Sequence, residues 1–194
     1  MPRTRNMGLD VCLMTVVLLV ARTTPLYAQY LGGGTKTAAQ AQIADLEDMR
    51  TKFTGLANAI PDDKYTWQPM EGVRSTRDVF SLIVAEAELF PTMWSYERPA
   101  WAKMQFNEEL SRLALLPKAE LVQELERSFD HVIAIVKGMS AADRAKQVSF
   151  FGLNVDLSTA VTLMTNDMHE HLGQLVAYAR MNRIVPPWSR PAGG

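Results

Sequence analysis

The chain has 194 residues, 47% of them hydrophobic and 21% charged, which is the composition of an ordinary globular protein with one core. A formal charge of −1 leaves no basic surface of the kind nucleic acid demands. A single cysteine rules out an internal disulfide.

Arg3 and Arg5, the apolar run VCLMTVVLLVA (Val11–Ala21) and the exit PLYAQ have the order of a secretory leader, with cleavage expected after Ala28. The run is too short for a membrane span, which needs about twenty residues. Residues 1–28 are therefore read as a signal peptide, and the chain as periplasmic or secreted with no membrane span once the leader is gone. An uncleaved N-terminal anchor is the alternative. Cleavage makes the remainder more acidic and removes Cys12, so cysteine nucleophiles and thiolate ligands go with it.

Residues 29–37 form a glycine-rich lead-in. Leu46, Met49, Phe53, Leu56 and Ile60 then recur at helical steps up to Pro61. The connector IPDDKYTWQPMEGVRS follows, with Tyr65 and Trp67 expected to pack it down. Ser75 and Asp78 resemble an N-cap pair opening a second helix, whose inward stripe is Val79, Leu82, Ile83, Glu86, Leu89 and Phe90. Pro91 kinks or ends it. Residues 93–116 read as a long connection with a helical turn. A third helix runs from Pro117 to Gly138 on Leu121, Leu125, Phe129, Val132, Ile133 and Val136. SAADRAKQV reads as a short helix, and VSFFGLNVDLS as a loop packing Phe150 and Phe151 under the bundle. Ser158 or Asp156 caps a last helix reaching about Asn182, which IVPPWSRPAGG terminates. Four amphipathic helices without convincing strands predict an all-α four-helix bundle over residues 38–189, with a long second-to-third connection and a tail at 190–194.

The stretch NDMHEHLGQ (Asn166–Gln174) holds two of the three histidines. On a helix His169 and His171 stand about 200° apart, so they do not form a clamp, and His169 faces solvent. Asp167, His171, Gln174 and Tyr178 instead share one polar line beside Met164, Met168, Leu172 and Leu175. Two readings follow. Asp167 and His171 place a carboxylate and an imidazole on one divalent metal, zinc or nickel. Alternatively the line is a buried hydrogen-bonded seam, with Asp167 orienting His171 and Gln174 bonding across the bundle. His131, on the third helix, has no neighbourhood that calls for a ligand. No Gly-x-Ser-x-Gly, P-loop or His-Glu-x-x-His arrangement occurs.

The phrases MEGVRSTRDVF, IPDDKYTWQP, FFG and NDMHEHLGQLVAYARMNRIVPPWS resemble the DinB-like superfamily of four-helix bundles over most of the chain after the leader. The resemblance implies a metal-binding bundle, in several members a transferase using low-molecular-weight thiols, and pairing into a homodimer. It also implies ligands from one histidine of the second helix and two, four residues apart, on the last. Here those positions fall on Leu82, Asp167 and His171, and leucine cannot coordinate. Glu86, one turn along, is the nearest replacement, giving the set Glu86, Asp167 and His171. A small-molecule pocket between the second and last helices, bordered by Leu82, Gln174 and Tyr178, completes the expectation. Two functions remain open: a metal-dependent transferase or hydrolase, and a non-catalytic binding or scaffold bundle that has lost the site. An exported location weighs against thiol transfer, because such thiols belong to the cytosol.

Overall fold

The computed structural model describes residues 37–102 and 104–190. The expected leader, the lead-in up to Lys36 and the tail beyond Arg190 lie outside the described residues. The helices are α1 (Ala38–Ala59), α2 (Thr76–Met93), α3 (Phe106–Ala114), α4 (Lys118–Gly138), the one-turn α5 (Ala141–Arg144) and α6 (Leu157–Met181). Two strands, β1 (Gln147–Phe150) and β2 (Leu153–Asp156), join α5 to α6. The unit from Gln42 onward holds the bundle.

The apolar face of α1 is buried, with Leu46, Met49, Phe53 and Leu56 sealed from solvent and Phe53 against Phe129 of α4 at 5.6 Å between ring centroids. Pro61 follows the end of α1 and opens a short 3₁₀ turn at Asp62–Lys64. The connector to α2 is ordered by hydrogen bonds rather than by regular structure. Tyr65 is buried and donates its hydroxyl to the Ala57 carbonyl at 2.7 Å. The amides of Thr76 and Arg77 donate back to the carbonyls of Trp67 and Tyr65 at 2.9 and 2.8 Å. These bonds deliver the chain to Ser75, whose hydroxyl accepts from the Asp78 amide while Asp78 accepts from the Ser75 amide, a reciprocal cap on the first turn of α2.

Helix α2 is buried on nearly every side from Thr76 to Pro91, which makes it the central element, packed on α4, α3, α6 and β1. Glu86 and Glu88, about 200° apart on the helix, are therefore both sealed in the interior. Glu88 accepts from the Trp101 indole N–H at 2.8 Å, in a polar group where Arg112 pairs with Glu109 and Glu124, and Arg127 also pairs with Glu124. Pro91 does not end α2. The helix continues to Met93 without the amide that position 91 would have donated, then turns out through Ser95, which has a left-handed φ of 67°.

Two expectations need correction. The segment after α2 contains a nine-residue helix, α3, that buries Glu109 and Leu113, rather than a single turn. VSFFGLNVDLS is an antiparallel hairpin in the register Gln147↔Asp156 to Phe150↔Leu153, not a loop. Its two-residue turn, Phe151-Gly152, has φ of 48° and 78°, and Phe150 is buried while Phe151 stands 65% exposed at the tip. Asp156, not Ser158, caps α6, accepting from the Thr159 amide at 2.7 Å. The architecture is thus a four-helix bundle of α1, α2, α4 and α6, with α3 on the crossing segment and a small hairpin before the last helix. No helix among the described residues is long and apolar enough to cross a membrane.

Candidate metal centre

Helices α2 and α6 lie side by side, and each contributes to one polar group between them. Glu86 of α2 and Asp167 and His171 of α6 each bring a donor atom to within 4.8 Å of the others. Asp167 and His171 are one turn apart, with Oδ2 and Nε2 separated by 3.9 Å. That is close, but it is not a hydrogen bond. Glu86 Oε2 and Asp167 Oδ2 are shielded from solvent and have no hydrogen-bond partner among the described residues. Burial first, and then the neighbouring carboxylate of Asp167, raise the Glu86 carboxyl to about 9 against the opposing charge of Arg74.

The imidazole of His171 is oriented from behind, and its tautomer follows from a chain of hydrogen bonds. The backbone carbonyl of Arg74 can only accept, so the Tyr178 hydroxyl must donate to it, at 3.0 Å. The hydroxyl oxygen then accepts from the Gln174 amide nitrogen at 2.8 Å. This turns Gln174 Oε1 toward His171 Nδ1, 3.1 Å away, so Nδ1 carries the proton. Nε2 is left with a bare lone pair on the side of Asp167 and Glu86, the form a metal requires.

The three donors line a cavity of about 860 Å³. Its walls include Leu82, Leu89 and Phe90 of α2, Phe106 of α3, Phe150, Phe151 and Leu153 of the hairpin, and Leu163 and Met164 of α6. Arg74 and Arg98 also face it.

The structure brings Glu86, Asp167, His171 and Leu82 to this cavity. Gln174 and Tyr178, expected at its border, stand behind the imidazole instead, because their polar ends are taken up by the chain to Arg74. His131 is elsewhere, edge-on to Trp101 at 5.9 Å. His169 is half-exposed, as expected of the far face of α6, and pairs with Asp45 of α1 at 2.9 Å. The sequence reading did not find Arg74, Arg98, Phe106 or the role of the hairpin tip. Arg74 sits one residue before a recognisable cap, but no local pattern says that the connector turns it toward α6.

A helical bundle with a carboxylate-rich donor group between two of its helices defines the class. The family model of the DinB superfamily matches residues 45–175, and the chain belongs to that superfamily. Among solved structures it is similar to YfiT from Bacillus subtilis, described as a probable metal-dependent hydrolase with an unusual four-helix bundle topology (TM-score 0.61, 14% identity, 78% of this chain and 91% of that one). It is also similar to a mycothiol-dependent maleylpyruvate isomerase (TM-score 0.57, 14% identity, 73% of this chain and 63% of that one) and to a DinB-like protein from Bacillus subtilis (0.55, 17%, 78% and 99%). The chain thus spans less than two thirds of the isomerase. At these identities the likenesses establish the fold. No curated protein matches the chain.

Proposed function

We propose that this is an exported metalloprotein of the DinB superfamily that performs a metal-dependent transfer or hydrolysis in the cavity between α2 and α6. The carrying observation is the convergence of Glu86, Asp167 and His171 within 4.8 Å, with two shielded carboxylate oxygens left unpartnered. Two oxygen donors and an imidazole suit a divalent ion such as zinc or nickel. Such an ion supplies Lewis acidity, polarising a carbonyl or acidifying a water or thiol.

The chain's own residues supply the rest. Gln174 and Tyr178 hold the His171 tautomer, the cavity sets apolar walls beside the donor group, and Arg74 adds positive charge close to it. The support for export is the sequence of residues 1–28. The similarity of fold to a probable metal-dependent hydrolase agrees with the reading.

Metal analysis of the purified chain tests it. Wild type is expected to carry about one divalent ion per chain, and His171→Ala to lose it while keeping a cooperative helical melt. Metal-free wild type that stays empty on zinc titration overturns the reading. Leu82 favours a second one. It is buried, faces the cavity and offers no donor, as in a bundle that keeps the family core for binding alone. That reading predicts an empty wild-type protein.

A further inference from the structure

The cavity is chemically lopsided in two respects. The first is charge. Its lining carries two carboxylates, Glu86 and Asp167, and two guanidinium groups, Arg74 and Arg98. A divalent ion held by the carboxylates balances both of them, and the two arginines are then uncompensated. Neither is in an ion pair among the described residues. Arg98 donates to the Met104 carbonyl. Arg74 is held only through its backbone carbonyl, by Tyr178, and its guanidinium has no hydrogen-bond partner among the described residues. Arg74 is exposed, lines the cavity and acts through its charge on Glu86, so a planar cation without a bonded partner stands at the mouth beside the donor group.

The second is the hairpin tip. In a two-residue turn with positive φ at both positions, glycine or asparagine fits without strain. Position 151 holds phenylalanine at φ 48°. The ring is 65% exposed, so burial in the core does not account for it. It stands edge-on to Phe90 and Phe150, at 5.3 and 4.7 Å, and extends the aromatic wall of the cavity outward. Leu153 and Met93, both exposed, also line the cavity.

We propose that the cavity takes an amphiphilic carboxylate, its acid group held by Arg74 beside Glu86, Asp167 and His171, and its apolar or aromatic body lying along Phe90, Phe150 and Phe151. A volume of about 860 Å³ admits a molecule of that kind. The charge balance rests on the metal reading above, whereas Arg74 and the aromatic wall do not.

Calorimetry with three probes of one shape tests it: 4-phenylbutyrate, 4-phenyl-1-butanol and 4-phenylbutylamine, titrated into the zinc-loaded full chain. The acid is expected to bind about tenfold tighter than the alcohol or more, with the amine weakest. Arg74→Gln, titrated at saturating zinc, should erase the difference between acid and alcohol while the chain still melts cooperatively. Phe151→Asn should weaken acid and alcohol by a similar factor, leaving their ratio intact. Equal affinity of acid and alcohol in wild type, absence of acid binding, or a preference that survives Arg74→Gln overturns the assignment of the acid group. Unchanged affinities in Phe151→Asn overturn the assignment of the body. Zinc binding is read separately. If the wild-type chain takes no zinc, the metal reading fails alone provided the zinc-free chain still prefers the acid through Arg74, and both fall if it does not.

Discussion

The hydroxyl of Tyr178 donates to the carbonyl of Arg74 at 3.0 Å, and this one bond ties the connector before α2 to the inner face of α6. Because a carbonyl cannot donate, every later partner in the chain is determined, and the proton on His171 is placed on Nδ1.

Tyr178→Phe removes the hydroxyl while keeping the ring edge-on to Trp67 at 5.2 Å. Gln174 then loses its acceptor and is free to turn either end to the imidazole. The expected outcome is a fall of about ten- to a hundredfold in zinc affinity with little change in the thermal melt. Competition with a chelator of known affinity measures it. An unchanged affinity would show that the tautomer is set by something else.

Leu82 marks the place where the superfamily resemblance puts a histidine, and it lines the cavity one turn before Glu86. Leu82→His should add a nitrogen donor on the same face of α2 and raise zinc affinity about tenfold or more, provided the group at Glu86, Asp167 and His171 is a metal site. It should also lower stability in the metal-free state, because an imidazole replaces buried aliphatic surface. Zinc should restore that loss, and the shift in Tm on adding zinc should be larger than in wild type. No gain in affinity would place the donors of the native site out of reach of residue 82.

The first turn of α2 carries a further test. Ser75 is buried and exchanges hydrogen bonds with Asp78, its hydroxyl donating to the carboxylate at 2.7 Å. Ser75→Ala leaves an amide of the first turn without its side-chain acceptor and should cost about 1 kcal/mol, read by urea denaturation. Because the cap follows Arg74 directly, acid binding in the same variant shows whether the connector's path depends on it.

The sequence exposes the outer helices more readily than the central one. Faces such as Leu46, Met49, Phe53 and Leu56 contrast with a polar side, so the 3.6-residue period is visible. In α2 that contrast is missing: buried on both sides, the helix shows one apolar stripe to inspection, while Glu88 passes for a surface acid. The hairpin lacked its usual signal because Phe-Gly, rather than Asn-Gly, occupies the turn. For the donor group, the spacing of Asp167 and His171 is enough to align them, since it is a property of a single helix. Arg74 and the hairpin tip reach the cavity through contacts between elements far apart in the chain, which periodicity does not encode.

Glu88 gives a pH dependence with a definite sign. It lies on the opposite face of α2 from Glu86, toward Glu109 of α3 and Glu124 of α4. Its carboxyl is raised from 4.5 to about 7, by burial above all and by the charges of Glu109 and Glu124, against the lowering effect of the Trp101 indole N–H and Arg127. Between about pH 4.5 and 7 the folded chain therefore holds a proton that the unfolded chain has released, so stability falls as pH rises through this window and levels off above it. Below about pH 4.5 both states are protonated and nothing is lost. The full effect is at most about 3 kcal/mol. Glu88→Gln retains an acceptor for Trp101 and has no charge to bury, so metal-free variant and wild type should be similar near pH 4.5 and diverge toward pH 8, with the variant more stable. Glu86 is present in both chains and cancels from the difference. Urea denaturation of the two across this range decides it: parallel curves would mean that Glu88 keeps its ordinary titration inside the bundle.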